Sequence, residues 1–498
     1  MRNRNIVMSA LLISLLGAGC SKTALDITPE GTPTSGNFWK TEADAVKAAN
    51  ALYEQFDGEE FYGRGYMWYI NASDDMVTGR SNAQAENIKN FNKAFNGGSY
   101  TRDQWKMRYI VIKRANDIIL NVPKITMNED LRKRILGEAY FLSGLMYFQL
   151  AYNYGDDKMG VPIVDRTKPE ETLIPRAANV AANYAYIEQE LLKAADLLPY
   201  FNELKPEDYG RAHKTAAWAF LAKTALYKKD WANAEKYAAL VIASNKHDLV
   251  KPFKQAFTIA NNWSPEYIWS ALSNTRWGSI LPGVMLENKG WGKYNGWGYY
   301  QPTKELYDSY EPGDQRREVT ILKTGDKFLF WGDSVVYGSA NSLTGYQFNK
   351  YMEPFGYKDG TQLNPDGNHP TTNLNVPLMR YAEVLLIMAE AKLMQNKNAD
   401  AEINKVRARA GLTPLTNATM ANLKRERRSE LAGEWSNRHF DLVRWGDAKA
   451  AYAQPLHHLN GSIVWPARNF DPAIHHIWPV PQSAIDNGGG IIKQNFGW

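Results

Sequence analysis

The sequence predicts a mainly α protein in which helical pairs form a scaffold, interrupted by a loop-rich insertion with short strands. Three observations carry that expectation. Helical periodicity recurs in both the N-terminal and C-terminal parts of the chain. The stretch from about His247 to Asn375 changes to short alternating segments punctuated by Gly and Pro. The 498 residues, 44% hydrophobic, 22% charged and 12% aromatic, have the composition of a globular protein and not of a disordered or collagen-like one. Length alone allows about two to four domains, but stacked helical repeats extend a single body well beyond that rule.

The first element is a leader. Arg2 and Arg4 precede an apolar stretch from Ile6 to Leu16, and Gly17-Ala18-Gly19 precede Cys20, the only cysteine. This pattern predicts a secretory signal over residues 1–19, too short to span a bilayer. A single cysteine excludes an intrachain disulfide framework and a Cys-based zinc site. Its position directly after a cleavage point resembles a bacterial lipoprotein signal, which implies that Cys20 is lipidated and that its acyl chains anchor the protein. The preferred Leu falls at Leu16, one place further from Cys20 than usual. Removing residues 1–19 takes away Arg2 and Arg4 and no acid, leaving 56 basic against 53 acidic residues in place of 58 against 53. With no long basic run and no nucleic-acid motif, no nucleic-acid partner is expected. Residues 20–37, polar with Pro and Gly, suit a tether between lipid and folded body.

Folded structure is expected from Phe38 onward. Thr41 is a plausible N-cap with Asp44 three residues later, and Ala45, Ala48, Ala49 and Leu52 share the face of the helix that follows. Helical patterning returns at Trp105–Leu120, Leu131–Tyr154 and Ala181–Leu198. From Ala212 to Ser244, Trp218, Leu221, Ala222 and Ala234 match four positions of a tetratricopeptide repeat, whose small residues let two helices approach closely. The same spacing recurs at Ala389, Ala401 and Ala408, after a helix from Met379 to Met394.

The insertion is rich in aromatics. Residues 263–300 hold nine Trp or Tyr in 38 positions, about twice the aromatic content of the whole chain. Tyr267 and Trp269, two apart around Ile268, read as a strand pointing both rings toward the core. Trp291, Tyr294, Trp297, Tyr299 and Tyr300 differ, because Gly292, Gly296 and Gly298 break up any regular element that could bury them. Trp277 has a similar Gly-flanked setting.

Several segments resemble the SusD/RagB family of outer-membrane nutrient-uptake lipoproteins, over nearly the whole chain. Glu138-Ala139-Tyr140-Phe141-Leu142 through Tyr154-Gly155 to Val161-Pro162 is similar to the family's long helix and its Gly-Val-Pro exit. The usual Arg is replaced near Ser143, and Asp156 to Gly160 lengthen the exit. The most specific match is Val376-Pro377-Leu378-Met379-Arg380-Tyr381-Ala382-Glu383-Val384-Leu385-Leu386 with Ala389-Glu390-Ala391. Ile403 to Gly411, Arg425 to Leu431, Arg438 to Gly446, Trp478-Pro479-Val480-Pro481 and Gln494 to Trp498 follow in family order. The resemblance implies a single SusD-like domain over 38–498, divided into N-terminal helical repeats (38–246), the aromatic insertion (247–375) and a C-terminal helical repeat with its terminal segment (376–498).

The same motifs carry charges that suggest chemistry. Arg380, Glu383 and Glu390 could share one helix face as ion pairs, Arg425, Arg428, Glu430 and Glu434 suit a polar helix face, and Asp441 suits pairing with Arg444. Asp74-Asp75 is the nearest local pair of carboxylates, but adjacent residues diverge and turn or capping chemistry is expected of them. His457-His458 and His475-His476 lack metal-ligand spacing, and no phosphate loop or nucleophile elbow occurs. No catalysis, cofactor or metal is therefore expected.

Binding has better support. Flat Trp and Tyr rings cover the apolar faces of sugars while amides and charged groups meet the hydroxyls, and Asn274, Arg276, Asn295 and Gln301 supply polar neighbours. The resemblance adds Arg80 and Asn82, in the loop region where the family binds ligand. The expected ligand site is Arg80, Asn82, Trp277, Trp291, Tyr294, Trp297, Tyr299 and Tyr300. The resemblance further implies a lipoprotein of the outer membrane, facing outward, that passes an oligosaccharide or polysaccharide fragment to a SusC-type TonB-dependent transporter. A transporter-gripping interaction protein with a peptide ligand, and a glycoside hydrolase, are the alternatives.

Overall fold

The computed structural model describes residues 38–57, 61–273, 298–330, 333–338, 342–351, 361–363, 370–435 and 438–498. The expected signal and tether with Cys20, and Asn274, Arg276, Trp277, Trp291, Tyr294, Asn295 and Trp297, lie outside the described residues.

Helix α1 (Glu42–Ala51) begins where the sequence places it. Thr41 Oγ1 accepts from Asp44 N at 3.3 Å, and the Asp44 carboxylate accepts from Thr41 N at 2.9 Å, so two orphan donors of the first turn are satisfied reciprocally. Ala45, Ala48, Ala49 and Leu52 are buried. There follow α2 (Arg64–Asn71), the short strand β1 (Met76–Thr78), α3 (Ala83–Lys89) and the long helices α4 (Ser99–Asn121), α5 (Glu129–Tyr154) and α6 (Val180–Leu197).

Two glycines reveal how closely α5 and α6 approach. A Cβ on Gly144 would lie 2.9 Å from Leu191 Cγ, and one on Gly137 would lie 2.8 Å from Leu198 Cγ. Seven positions back along one helix correspond to seven forward along the other, so the two run antiparallel with only hydrogen between backbone and leucine. The expected pair follows as α7 (Lys214–Tyr227) and α8 (Trp231–Ala243), with Leu221, Ala222 and Ala234 in the core. From α4 to α8 each helix packs on the next.

The chain then enters the insertion, whose described strands are β2 (Tyr267–Ala271), β3 (Tyr300–Pro302), β4 (Ile321–Lys323), β5 (Lys327–Phe330), β6 (Asp333–Val336), β7 (Tyr346–Phe348), β8 (Thr361–Leu363), β9 (Pro370–Thr372) and β10 (Val376–Arg380). Among the described residues they form two-stranded antiparallel sheets. β2 and β10 pair with Val376 opposite Ala271 and Arg380 opposite Tyr267, so the segment between them is closed at its base. Tyr267 and Trp269 are buried as expected. Ile268 between them is buried too, so both faces of β2 are covered.

After β10, helix α9 (Tyr381–Leu393) docks on α8, followed by α10 (Asp400–Arg409), α11 (Met420–Leu431) and α12 (Arg438–Trp445). The two repeat-like stretches, far apart in sequence, are thus consecutive in one stack. The match at Ala401 and Ala408 needs correction. Both are exposed, and the buried side of α10 is formed by Ala399, Ile403 and Val406, the opposite helical phase. Ala389 is buried as the match requires.

A buried charge network locks the insertion to the C-terminal helices. Arg380, 1% exposed, donates to Glu434 (2.6 and 2.7 Å), Glu430 (2.9 Å) and Glu266. Arg409 bridges Glu266 and Glu430, Arg316 joins Asp314, Glu426 and Glu430, and Lys350 reaches Glu434. This overturns the expectation that Arg380, Glu383 and Glu390 pair along one helix. Arg380 ends a strand and faces away from them, while Glu383 meets Lys223 and Arg427, and Glu390 meets Arg444. Nor do Arg425, Arg428, Glu430 and Glu434 form one polar helix face. Glu430 and Glu434 are buried in the network, Arg425 pairs with Glu311, and Arg428 reaches across to Asp74 and Asp75. Asp441 does pair with Arg444, at 2.8 Å. Among the described residues no helix is long and apolar enough to cross a membrane.

Candidate ligand-binding site

The site is assembled by one strand pairing between segments more than two hundred residues apart. β1 and β3 run antiparallel with Val77 opposite Gln301 and Thr78 opposite Tyr300. The pairing continues past the strand end, where Gly79 N donates to Tyr299 O at 3.0 Å. A Cβ at Gly79 would collide with the Gln301 side chain and the Gly298 carbonyl, so only glycine lets the two segments pass this closely. The next residue, Arg80, is exposed, and its guanidinium carbon stands 5.6 Å from the centroid of the Tyr299 ring. Buried Gln301 fixes the corner: its Nε2 donates to Gly298 O at 3.3 Å, and its Oε1 accepts from Leu343 N at 2.7 Å.

Charge underpins the loop that carries Arg80. Arg438 grips Asp74 with two parallel bonds of 2.8 and 2.9 Å, and Arg428 Nε donates to Asp75 at 2.6 Å. Burial alone would raise the Asp74 carboxyl, but Arg428 and Arg438 outweigh it and hold this group well below the usual carboxylate range. Asp75 lies above that range, because burial together with the neighbouring Asp74 charge outweighs Arg428. The two carboxylates therefore brace the loop against α11 and α12. The expected turn or capping role is corrected, and neither group is free to attack a bond.

Behind them, Lys89 Nζ donates to the carbonyls of Asn71 (2.8 Å), Ser73 (3.1 Å) and Met76 (2.7 Å). Burial, reinforced by nearby Arg468, pulls the lysine below its usual range. Three carbonyl acceptors nevertheless match the three N–H bonds of an ammonium, whereas a neutral amine has two. Arg468 donates to the carbonyls of Ala72, Ser73 and Lys89, and burial lowers it to about 10, still protonated at neutral pH.

Of the expected site residues that are described, Arg80 and Tyr299 are brought together. Asn82 lies two residues on, but its side-chain oxygen caps α3, accepting from Gln84 N and Ala85 N, both at 3.1 Å. Tyr300 needs correction: it is fully buried in β3, so its ring has no face to offer a ligand. Tyr299 is only 8% exposed with Arg80 over its ring, so little of it is left to a ligand. Sequence reasoning missed Lys89, Arg428, Arg438 and Arg468 as the groups that set this loop. Their partners lie up to 396 positions away, and no local pattern announces them. Among the described residues no three His, Cys, Asp or Glu converge to hold a metal ion.

Comparisons with known proteins agree over most of the chain. The sequence profile of the SusD family matches residues 265–498, and a profile described as starch-binding associating with outer membrane matches residues 40–226. SusD-like protein P2 of Formosa agariphila is 26% identical over 529 aligned positions, covering 100% of both chains. A solved structure described as a laminarin binding SusD-like protein is 26% identical with a TM-score of 0.76, covering 92% of this chain and 100% of that one. A SusD-like protein from Bacteroides fragilis, 24% identical, shares the fold with a TM-score of 0.78 over 93% of this chain and 98% of its own.

Proposed function

Because the chain belongs to the SusD/RagB family, whose two profiles span residues 40–226 and 265–498, we propose that it is a non-catalytic outer-membrane lipoprotein that captures an oligosaccharide at the cell surface and delivers it to a SusC-type TonB-dependent transporter. The observation that carries this reading is the β1–β3 pairing, which sets Arg80 against Tyr299 at the end of the aromatic run from Trp291 to Tyr300. The starch-binding and laminarin-binding descriptions of related sequences support a glycan ligand.

In this reading Trp277, Trp291, Tyr294 and Trp297 supply stacking surfaces, Arg80 and the Asn82 amide NH2 supply hydrogen bonds, and Tyr299 packs against Arg80. Residues 38–498 act as one unit on the 20–37 tether, held by lipid on Cys20, and close the mouth of the transporter over bound ligand. Ligand is held by stacking and hydrogen bonding without covalent change. Calorimetry or affinity electrophoresis across a polysaccharide panel tests the reading. Saturable binding to at least one glycan, with no new reducing ends released, is expected. Failure to bind any glycan, with peptide retained on protein purified from membranes, would favour a peptide-handling partner instead.

A further inference from the structure

The charges around the Arg80 loop do not balance. Segment 71–90 carries Arg80, Lys89, Asp74, Asp75 and Glu86, and the charged side chains that bond to it are Arg428, Arg438 and Arg468. Five cations thus face three carboxylates. Four of the cations are committed: Arg428 and Arg438 to the aspartates, Lys89 and Arg468 to backbone carbonyls. Glu86, half-buried, is engaged at the start of α3, accepting from Asn82 N at 3.0 Å. Arg80 alone is exposed, and among the described residues no carboxylate pairs with it. The Tyr299 ring beside it braces the guanidinium without neutralising it.

We infer that the ligand at this face is an anionic glycan, bearing a uronate carboxylate or a sulfate ester, and that Arg80 is the group that meets the charge. This rests on the glycan-binding reading and narrows it. A guanidinium offers parallel N–H donors that match two oxygens of either anion, and the uncompensated positive charge beneath it adds to the attraction. A neutral sugar would leave that excess unanswered.

The test is calorimetric titration of the mature protein with three oligosaccharides of equal length: a neutral β-glucan, a polyuronate and a sulfated glycan. At low ionic strength at least one anionic ligand is expected to bind tenfold or more tightly than the neutral one, with the advantage shrinking as salt is raised. Which anionic ligand binds separates carboxylate from sulfate. Arg80→Met should collapse the anionic-to-neutral affinity ratio toward one, and Arg80→Lys should restore part of it. Equal or tighter binding of the neutral glycan by wild-type protein would overturn the inference and leave glycan binding standing. An unchanged ratio in Arg80→Met would overturn the role of Arg80. No binding by any of the three would overturn the glycan reading and this inference with it.

Discussion

Arg380→Met removes the central cation of the buried network and should be severely destabilising. The Arg380 side chain is 1% exposed and holds three carboxylates, those of Glu266, Glu430 and Glu434. Methionine keeps an unbranched apolar stem but loses the guanidinium, which also stands over the Phe253 and Phe257 rings, so the loss is chiefly electrostatic. After the change Glu266 keeps Arg409, Glu430 keeps Arg409 and Arg316, and among the described residues Glu434 keeps only Lys350. Removing one partner of a buried ion pair costs about 3–5 kcal/mol, a large part of the roughly 5–15 kcal/mol that holds a typical domain folded. Urea unfolding followed by tryptophan fluorescence measures it. The double variant Arg380→Met/Glu434→Gln neutralises the most isolated acid and should recover about 1 kcal/mol or more relative to the sum of the single effects. A single-variant loss below about 1 kcal/mol, the range of a solvent-exposed pair, or strict additivity in the double variant would show that Arg380 does not anchor the network.

Three further outcomes follow from the same structure. Burial alone would raise the Glu430 carboxyl, but Arg409, Arg380 and Arg316 hold it well below the usual range. Its folded pKa is below its unfolded one, so its stabilisation is present above the unfolded value of about 4.3 and is lost as pH falls below it. Arg380→Met should make the decline in stability below that pH shallower, measured by urea midpoints at stepped pH. Gly144→Val would drive a side chain into Leu191, and overpacking of this kind costs about 1–3 kcal/mol; pairing it with Leu191→Ala should return part of the loss in thermal unfolding. Asn82→Ala removes the α3 cap, about 1 kcal/mol, and should lower stability and weaken glycan binding together, whereas Asn82→Asp should restore the cap.

The helices were largely legible because their signals are local. Thr41 and Asp44 form a cap within four residues, and Ala222 and Ala234 report one tight hairpin. The C-terminal motif suggests the wrong element: Arg380 precedes Glu383 by three positions and invites a helical pair, but Pro377 and the pairing of β10 with β2 make it a strand residue whose partners come from Glu266 and from 430–434. Asp74 and Asp75 were read as turn residues for the same reason, since Arg428 and Arg438 are brought to them only by the fold. Alanine spacing misled at Ala401 and Ala408, because small residues suit an exposed helix face as readily as a close contact. At the candidate site, Arg80 and Tyr299 were named separately. Their contact depends on the β1–β3 register and on Gly79, which composition does not disclose. Tyr300 shows the limit of counting aromatics, because its pairing opposite Thr78 in β3 buries the ring completely.

Capture of a glycan at this face is the property on which the proposed role depends. Its most direct test is calorimetric titration of soluble mature protein and of the Trp291→Ala/Trp297→Ala variant against a panel of purified polysaccharides. Saturable binding of at least one glycan by the wild-type chain is expected, with a loss of tenfold or more, about 1.4 kcal/mol, in the variant and its thermal stability unchanged. Absence of binding across the panel, or equal affinity in the two proteins, would contradict it.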